Sequence, residues 1–320
     1  MAHARRRRRA LPAHRASAAL GLLALLYTGA PRAGAQAVSL TARAGATTVD
    51  LGASTAPSRA TIARVALIRE IRWQPMRAGL SLGEIELRAG VYGTAVQAIV
   101  VRVDPSRFSF ALQQRTATNG MTGTWSLDSV APSAALAMNA GQFKETGPWG
   151  WLVLDGYEHR NPLAAPLAVG LRIDTSGRLR WVRPGGEPAA RHDPTTAFAF
   201  QSFPLLMYDG RVPAIVRDRD LMDVGHRDAR LILAERADGI LLFILTRYAA
   251  LGTLGERVPI GLTTPESIVL AAALGARHAV MLDGGVSAQL LVRDSTGAER
   301  RWAGLRRVPL ALVATPRPVH

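Results

Sequence analysis

The 320-residue sequence contains no cysteine. No disulfide can therefore stabilise the fold, and no thiolate is available as a nucleophile or a metal ligand. Lysine is nearly absent as well, because Lys144 is the only one and arginine supplies the other cationic side chains. The arginines are scattered along the chain and form no dense basic stripe, so nucleic acid is not the expected partner.

The apolar run near the N-terminus, Ala18–Leu26, is too short to span a bilayer, which takes about 20 residues. It follows a basic block at Arg5–Arg9 and precedes small residues that suit cleavage before Gln36. This order is typical of a secretory signal peptide. We predict a signal peptide over residues 1–35 and an exported protein, periplasmic or secreted, with no stable membrane span after cleavage. An uncleaved membrane anchor and a twin-arginine export route are the alternatives.

The formal net charge is +15, and residues 1–35 contribute seven arginines and no acidic residue. Removing those seven charges from +15 leaves about +8 on the mature chain. A mildly basic exported protein is suited to anionic envelope polymers or phosphorylated glycans. We therefore expect a glycan or sugar-phosphate polymer as the partner, while the oligomeric state stays open.

A hydrophobic content of 48% with 20% charged residues is that of a globular protein with a substantial core. Residues 36–72 begin with a stretch rich in Ala, Thr, Ser and Gly, which we expect to be poorly packed. Residues 73–320 form the main domain, where short aliphatic runs between Gly, Pro and Asp predict many strands. The clearest hairpin joins Leu231 to Leu245 through a turn at residues 237–239.

One helix is well marked between Thr263 and Gly275. Thr263 offers an N-cap, Pro265 suits the first turn, and Glu266 favours the positive end of the helix. Its body is apolar almost all round, which predicts burial against a sheet, and a short buried strand, Ala279–Leu282, follows. We therefore predict an α+β fold, a single domain with a large mixed, mostly antiparallel sheet covered by helices.

Four stretches combine polar side chains with small residues. They are MNAGQF (Met138–Phe143), QSFPLLMYDG (Gln201–Gly210), GHRDAR (Gly225–Arg230) and MLDGGVS (Met281–Ser287). In the first, Asn139 lies among small residues that let a ligand approach the backbone closely. The alternative is an asparagine that stabilises its own turn.

The third stretch offers an arginine and a histidine side by side. Arg227 can bind a phosphate or carboxylate through two parallel hydrogen bonds, and His226 can donate to the same anion or act as an acid or base. A surface ion pair of Asp228 with an arginine is the alternative.

In the fourth stretch a carboxylate, Asp283, follows the buried strand. Gly284 and Gly285 can present backbone N–H groups to an anion. A simple Asp-Gly turn is the alternative interpretation.

Together, the order and spacing of these stretches resemble the phosphodiester glycosidase family of exported proteins. The resemblance runs from about Trp73 to the C-terminus. Its most specific part is residues 261–287, where a Gly-x-(Thr/Ser) helix precedes Leu-Asp-Gly-Gly-x-Ser. NAGQF is similar to the family's Asn-(Gly/Ala)-Gly-x-Phe pattern, and GHRDAR matches the position of the family's arginine.

The chain also departs from the family pattern. The residue after the arginine is often Thr or Ser in the family and is Asp228 here. Further departures are Thr246, Val286, Ala288 and Leu310. They leave the sugar and the aglycone open.

The resemblance implies hydrolysis of a sugar-1-phosphodiester at its glycosidic C–O bond, which releases the sugar and leaves a phosphomonoester. Arg227 would hold the phosphate, and Asp283 would stabilise oxocarbenium charge or activate water as the second catalytic residue. The expected substrate-binding residues are Asn139, Gln201, His226, Gly284, Gly285 and Ser287.

Two other functions stay open. The first is a glycan-binding or envelope-polymer-binding module that keeps the pocket without turnover. The second is a metal-assisted phosphodiesterase with Asp283, Asn139 and His226 as ligands. Because these three residues lack a tight ligand spacing, we predict no metal site and no cofactor, with a divalent metal left open.

Overall fold

A computed structural model of the chain describes residues 38–52, 57–115, 125–217, 225–250 and 258–318. Val38–His320 form one compact unit. The predicted signal peptide and its cleavage position before Gln36 lie outside the described residues. Within the described ranges, none of the helices combines the length and the hydrophobicity needed to cross a membrane.

The described residues form 21 strands and three α-helices. The strands are β1 Leu40–Ala44, β2 Thr47–Asp50, β3 Gln74–Arg77, β4 Leu80–Ala89, β5 Thr94–Val103, β6 Phe108–Gln114, β7 Leu136–Asn139, β8 Phe143–Lys144, β9 Gly147–Pro148, β10 Leu152–Leu154, β11 Tyr157–Arg160, β12 Val169–Asp174, β13 Leu179–Trp181, β14 Thr196–Ser202, β15 Leu205–Met207, β16 Leu231–Arg236, β17 Leu241–Tyr248, β18 Ala276–Met281, β19 Leu290–Arg293, β20 Glu299–Trp302 and β21 Leu310–Pro316. The helices are α1 Pro57–Glu70, α2 Glu187–Ala190 and α3 Thr264–Ala273.

Three sheets and one small hairpin account for these strands, and every pairing between them is antiparallel. Sheet I has nine strands in the order β15-β18-β16-β17-β5-β4-β1-β2, with β3 also paired to β4. Sheet II has the order β11-β10-β14-β12-β13, and sheet III the order β20-β19-β7-β21-β6. The hairpin pairs β8 with β9.

The predicted architecture, a mixed sheet covered by helices, is wrong, because the described fold is mostly β and consists of several antiparallel sheets. Helices α1 and α3 cover one face of sheet I through side chains such as Leu67 and Leu270. The opposite face packs against the other two sheets, where Phe243, Leu171 and Leu312 share one core. The error has a physical reason: a strand buries its apolar face equally well against a helix or against another sheet.

The described part of residues 36–72 is well packed, in contrast to the prediction. Strands β1 and β2 extend sheet I beyond β4, and α1 contacts both of them. Leu40 and Leu67 are fully buried. The buried face of β1 also uses Ala42 and Ala44, which alternate with more exposed residues as a strand requires. Such small side chains carry little hydrophobic signal in a sequence.

The predicted hairpin and helix are confirmed. Strands β16 and β17 pair with Leu231 opposite Leu245. Helix α3 has Thr263 as its N-cap, and the N–H of that residue donates to Glu266 Oε2 at 2.9 Å in a capping box. The strand after it, β18, lies between β15 and β16. Asp283 follows two residues after Met281, the last residue of β18.

Candidate functional site

The candidate site lies where the end of β18 in sheet I meets the end of β7 in sheet III. The backbone N–H of Asp283 donates to the carbonyl oxygen of Ala140 at 3.2 Å, just beyond the last residue of β7. This bond joins the two strand ends across the sheets. The MNAGQF and LDGGVS segments, far apart in sequence, are therefore parts of one site.

Asn139 fixes this junction through its amide nitrogen. The side chain is fully buried, and Nδ2 donates to the Asp283 carbonyl at 3.0 Å, to Asp283 Oδ2 at 3.0 Å and to the Ser287 carbonyl at 2.7 Å. Its Oδ1 is buried and has no hydrogen-bond partner among the described residues. A buried acceptor without a partner costs about 1–3 kcal/mol, so this oxygen has the capacity to accept one further hydrogen bond.

Asp283 is the most strongly perturbed carboxyl of the site. Burial raises its pKa from the ordinary 3.8 to about 7, because desolvation disfavours the charged form. Hydrogen bonds from Asn139 and Ser287 and the charge of Arg306 act in the opposite direction, whereas the charge of Asp228 raises the pKa further. A carboxyl that is half ionised near neutral pH can serve as a proton acceptor or donor.

The two glycines after Asp283 bring a second segment close to it. Gly285 has φ 60°, and a Cβ there would lie 2.8 Å from Asp228 Oδ2. A Cβ on Gly284 would lie 2.6 Å from the carbonyl oxygen of Ala229. Only glycine permits such close approach at both positions. The N–H of Gly285, predicted to face an anion, donates instead to Ala229 O at 2.7 Å.

Arg227, the predicted phosphate ligand, is held by a carboxylate in this structure. Its Nη1 lies 2.8 Å from Glu266 Oε2, and its Nη2 lies 2.7 Å from Glu266 Oε1. Nη1 also donates to the Gly261 carbonyl at 3.3 Å. Because Glu266 is buried and belongs to the capping box of α3, this ion pair ties the GHRDAR segment to the helix. The described contacts of Arg227 do not include Asp283.

Asp228, one residue further on, reaches the glycine turn with its side chain, next to the carbonyl of Ala229. His226 Nε2 lies 3.8 Å from Asp228 Oδ2. Burial raises the pKa of Asp228, and the charges of Arg230 and His226 act in the opposite direction. From the sequence, Asp228 is only a departure from the family pattern. Its position within the same motif as His226 is the signal that could have identified it.

Gln201, predicted to bind substrate, is engaged by backbone groups. Its Oε1 accepts from the N–H groups of Trp151 at 3.1 Å and Leu163 at 3.0 Å, and its Nε2 donates to Leu163 O at 2.9 Å. The same side chain lines a cleft of about 400 Å³, whose lining residues do not include Asp283. We place the candidate site at Asp283 and not in this cleft. The MNAGQF and LDGGVS motifs meet at Asp283, and Asp283 is the carboxyl with the strongly raised pKa.

An aromatic pair lies beside the strand end that carries Asp283. Gln142 Nε2 donates to the carbonyls of Leu282 at 3.1 Å and Phe203 at 3.2 Å, which connects the loop of Phe203 to β18. The ring centroid of Phe203 lies 4.8 Å from that of Trp149, and 39% of Phe203 is exposed. The sequence gives no specific signal for this pair, since its members come from two separate loops.

A cation lies near the same carboxyl. The Arg306 guanidinium stands over the Phe143 ring, 4.9 Å from its centroid, and its charge attracts Asp283. Arg306 is exposed to solvent. The sequence gives no signal for this role of Arg306, because the residue lies 19 positions beyond the last motif residue, Ser287, in a run without any motif.

The described residues hold no group of three or more His, Cys, Asp or Glu side chains with the arrangement of a metal site. Asn139 donates to Asp283 Oδ2 through Nδ2, and its Oδ1 has no hydrogen-bond partner among the described residues. The Nε2 atom of His226 faces Asp228. Of the three residues of the metal-assisted alternative, Asp283 and His226 thus have other contacts among the described residues.

The model of the phosphodiester glycosidase family matches residues 133–315, which is more than half of the chain. The matched range contains all four polar stretches and the helix before the last one. This chain belongs to the phosphodiester glycosidase family.

Three solved structures share the fold. The catalytic domain of zebrafish N-acetylglucosamine-1-phosphodiester alpha-N-acetylglucosaminidase, auto-inhibited by its pro-peptide, has a TM-score of 0.57 and 15% identity over 88% of this chain and 89% of that chain. A candidate exported protein from Burkholderia pseudomallei has a TM-score of 0.51 and 16% identity, over 87% of this chain and 86% of that one.

A hypothetical protein from Synechocystis gives a TM-score of 0.50 and 16% identity over 77% of this chain, which spans 64% of that protein's length. At such identities the three likenesses show the fold alone. The comparison with curated protein sequences gives no significant match.

Proposed function

We propose that this chain is an exported hydrolase that cleaves the glycosidic bond of a sugar-1-phosphodiester in an envelope or extracellular glycan. The observation that carries the proposal is the Asp283 carboxyl, which is held by Asn139 and Ser287 and has a pKa raised to about 7. Its position in the LDGGVS segment of a phosphodiester glycosidase domain supports the same function. The signal-peptide pattern of residues 1–35 supports export.

In the proposed reaction, water attacks the anomeric carbon C1 of the sugar. The water oxygen forms the new C1–O bond, the bond between C1 and the phosphate oxygen breaks, and its electron pair leaves with the phosphate. The ionised Asp283 carboxylate accepts the proton that the water loses. A phosphate leaving group already stabilises negative charge, so it needs less protonation than the alcohol released in ordinary glycoside hydrolysis.

The phosphate needs a cation, and the geometry favours Arg306 for this role. Arg306 is exposed, and its charge already acts on Asp283. A guanidinium in such a position can bind phosphate oxygens through two hydrogen bonds. Arg227 then contributes indirectly, because its ion pair with Glu266 fixes the segment that carries His226 and Asp228.

The sugar needs hydroxyl partners and an apolar surface. His226, whose side chain is 46% exposed, supplies a polar group, and the buried Asn139 and Ser287 position the Asp283 carboxyl. The ring pair of Trp149 and Phe203 supplies the apolar surface, as aromatic side chains commonly do in ligand sites.

The test is release of free sugar from a panel of sugar-1-phosphodiesters by the mature chain that starts at Gln36, with and without chelator. Turnover in the presence of chelator, lost in Asp283→Asn, is the expected result. Full turnover by a folded Asp283→Asn variant would refute the assignment. Turnover that disappears with chelator alone would favour the metal-assisted alternative.

A glycan-binding module without turnover is the second candidate. The specific observation in its favour is that Arg227, one of the two expected catalytic residues, is paired with Glu266 and so is not placed to take part in turnover. Saturable binding of a sugar-phosphate polymer with no product from any member of the panel would identify this function.

A further inference from the structure

Asp228 occupies the space next to the glycine turn that a side chain on Gly285 would need. A Cβ on Gly285 would lie 2.8 Å from Asp228 Oδ2 and 3.2 Å from Oδ1. The whole carboxylate therefore stands against a residue only two positions after Asp283.

The carboxylate of Asp228 is held in place by short local contacts. Its Oδ1 accepts from the N–H of Ala229 at 2.9 Å. The backbone N–H of Asp228 donates to the Leu262 carbonyl at 3.4 Å, and Arg230 Nε donates to the same carbonyl at 2.8 Å. With Arg227 bound to Glu266 on the other side, the segment has little freedom to turn the carboxylate away.

Charged and titratable groups face this pair of carboxyls from several elements. His226 and Arg230 act on Asp228 from its own segment, and Arg306 acts on Asp283 from the loop before β21. The remaining partners of Asp283 are neutral, namely Asn139 at the end of β7 and Ser287 after the glycine turn. Asp228 is thus the negative charge that acts on Asp283 across the turn.

We propose that Asp228 is the second carboxylate of the site, a positioning residue whose negative charge beside Asp283 favours proton uptake by Asp283. The role of that proton in water activation rests on the proposed function. The pairing of the two carboxyls rests on the glycine turn, which sets Asp228 against Gly285, together with the charge of Asp228 acting on Asp283. Like charges close together disfavour double ionisation, so one carboxyl retains its proton to higher pH.

The test is a ¹³C NMR titration of the Asp283 carboxyl carbon in the full mature chain and in charge-removing variants. Asp228→Asn and Asp228→Thr remove the charge with two different shapes, and both are expected to move the Asp283 midpoint to lower pH. Asp228→Glu keeps the charge and is expected to hold the midpoint near the wild-type value. Asp128→Asn is the matched control, because Asp128 is exposed and paired with Arg301.

Unchanged midpoints in Asp228→Asn and Asp228→Thr, in protein that melts as wild type does, would overturn the proposal. So would an equal shift in Asp128→Asn. Sugar release measured on the same samples separates this proposal from the proposed function. A shifted midpoint without turnover in any sample sustains the carboxyl pair and refutes the hydrolase, whereas turnover with one common pH midpoint refutes the pair.

Discussion

The two motifs of the site hold their charged side chains in opposite ways. After β18, Asp283 is met by the neutral donors Asn139 and Ser287. Before β16, Arg227 is matched by the carboxylate of Glu266 through two hydrogen bonds of 2.7–2.8 Å. The LDGGVS motif leaves the Asp283 carboxyl without a directly bonded cation. The GHRDAR motif has its Arg227 guanidinium directly paired with a carboxylate.

This difference indicates which motif has a side chain that can change its protonation state during a reaction. A charge bound by a full counter-charge is stabilised in one protonation state and serves the fold. A desolvated carboxyl among neutral donors is held near the point where both of its protonation states are populated. In the proposed function, this comparison assigns proton transfer to the LDGGVS motif, and it assigns to GHRDAR the support of the fold and the charge of Asp228.

The largest expected effect tests the chemical side of the comparison. Asp283→Asn removes the proton acceptor, so we expect the rate of sugar release to fall about 10²–10⁴-fold. In the wild type, kcat/KM should rise with pH through about 7, where the buried carboxyl loses its proton. A pH profile of kcat/KM for both proteins checks this. A wild-type profile that is flat between pH 5 and 9 would contradict the role of Asp283.

The next effect tests the structural side. Arg227→Ala leaves Glu266 buried without its partner, so we expect the free energy of unfolding to fall by about 3–5 kcal/mol. Adding Glu266→Gln should recover most of this loss, since Gln also completes a capping box. Urea unfolding of the single and double variants measures the coupling.

Arg43→Ala is the matched control, because both side chains of the Arg43–Glu86 pair are exposed. It should cost no more than about 1 kcal/mol. If Arg227→Ala kept the stability of the wild type and lost turnover, Arg227 would belong to the chemistry and the comparison would fail.

A smaller effect links the raised pKa of Asp283 to stability. Below pH 3.8 the carboxyl is protonated in the folded and the unfolded chain, so it adds no pH dependence. Between pH 3.8 and about 7 only the folded chain keeps the proton, so the free energy of unfolding falls as pH rises. Asp283→Asn removes this loss and should be more stable than the wild type by about 2 kcal/mol at pH 8.

This expected gain in stability is smaller than the full pKa difference implies, since Asp283 is partly exposed and solvent weakens the effect. The measurement is urea unfolding of both proteins at pH 4 and pH 8. An advantage of Asp283→Asn that is equal at the two values would show that the carboxyl is not perturbed by folding.

Features set by neighbouring residues could be predicted from the sequence. The cap of α3 needs only Thr263 and Glu266 three positions apart, and the β16–β17 hairpin needs only a turn between two aliphatic runs. The family and the segments that contain Asn139 and Asp283 also follow from short motifs. What packs against each face of sheet I could not be predicted from the sequence, because either a helix or a second sheet can bury the same apolar face.

The partners of the site residues could not be predicted for a similar reason. The contact of Arg227 with Glu266 spans 39 positions, and that of Asn139 with Asp283 spans 144. An arginine in a motif looks the same in a sequence whether it faces a ligand or a carboxylate. The importance of Asp228 depends on its close approach to Gly285, which exists only once the two segments are folded together.

The smallest expected effect extends the comparison from the reacting carboxyl to the surface around it. If the site binds a sugar next to Asp283, the exposed ring of Phe203 and its partner Trp149 supply an apolar contact of about 0.5–1.5 kcal/mol. Phe203→Ala should therefore raise KM by about threefold to tenfold and leave kcat nearly unchanged, because the ring touches the substrate equally in the ground and transition states. Tyr92→Ala is the control, since Tyr92 is 95% exposed on the β4–β5 turn. A loss of kcat without a change in KM would mean that Phe203 acts by positioning Gln142 against the end of β18. The sugar would then have to bind elsewhere.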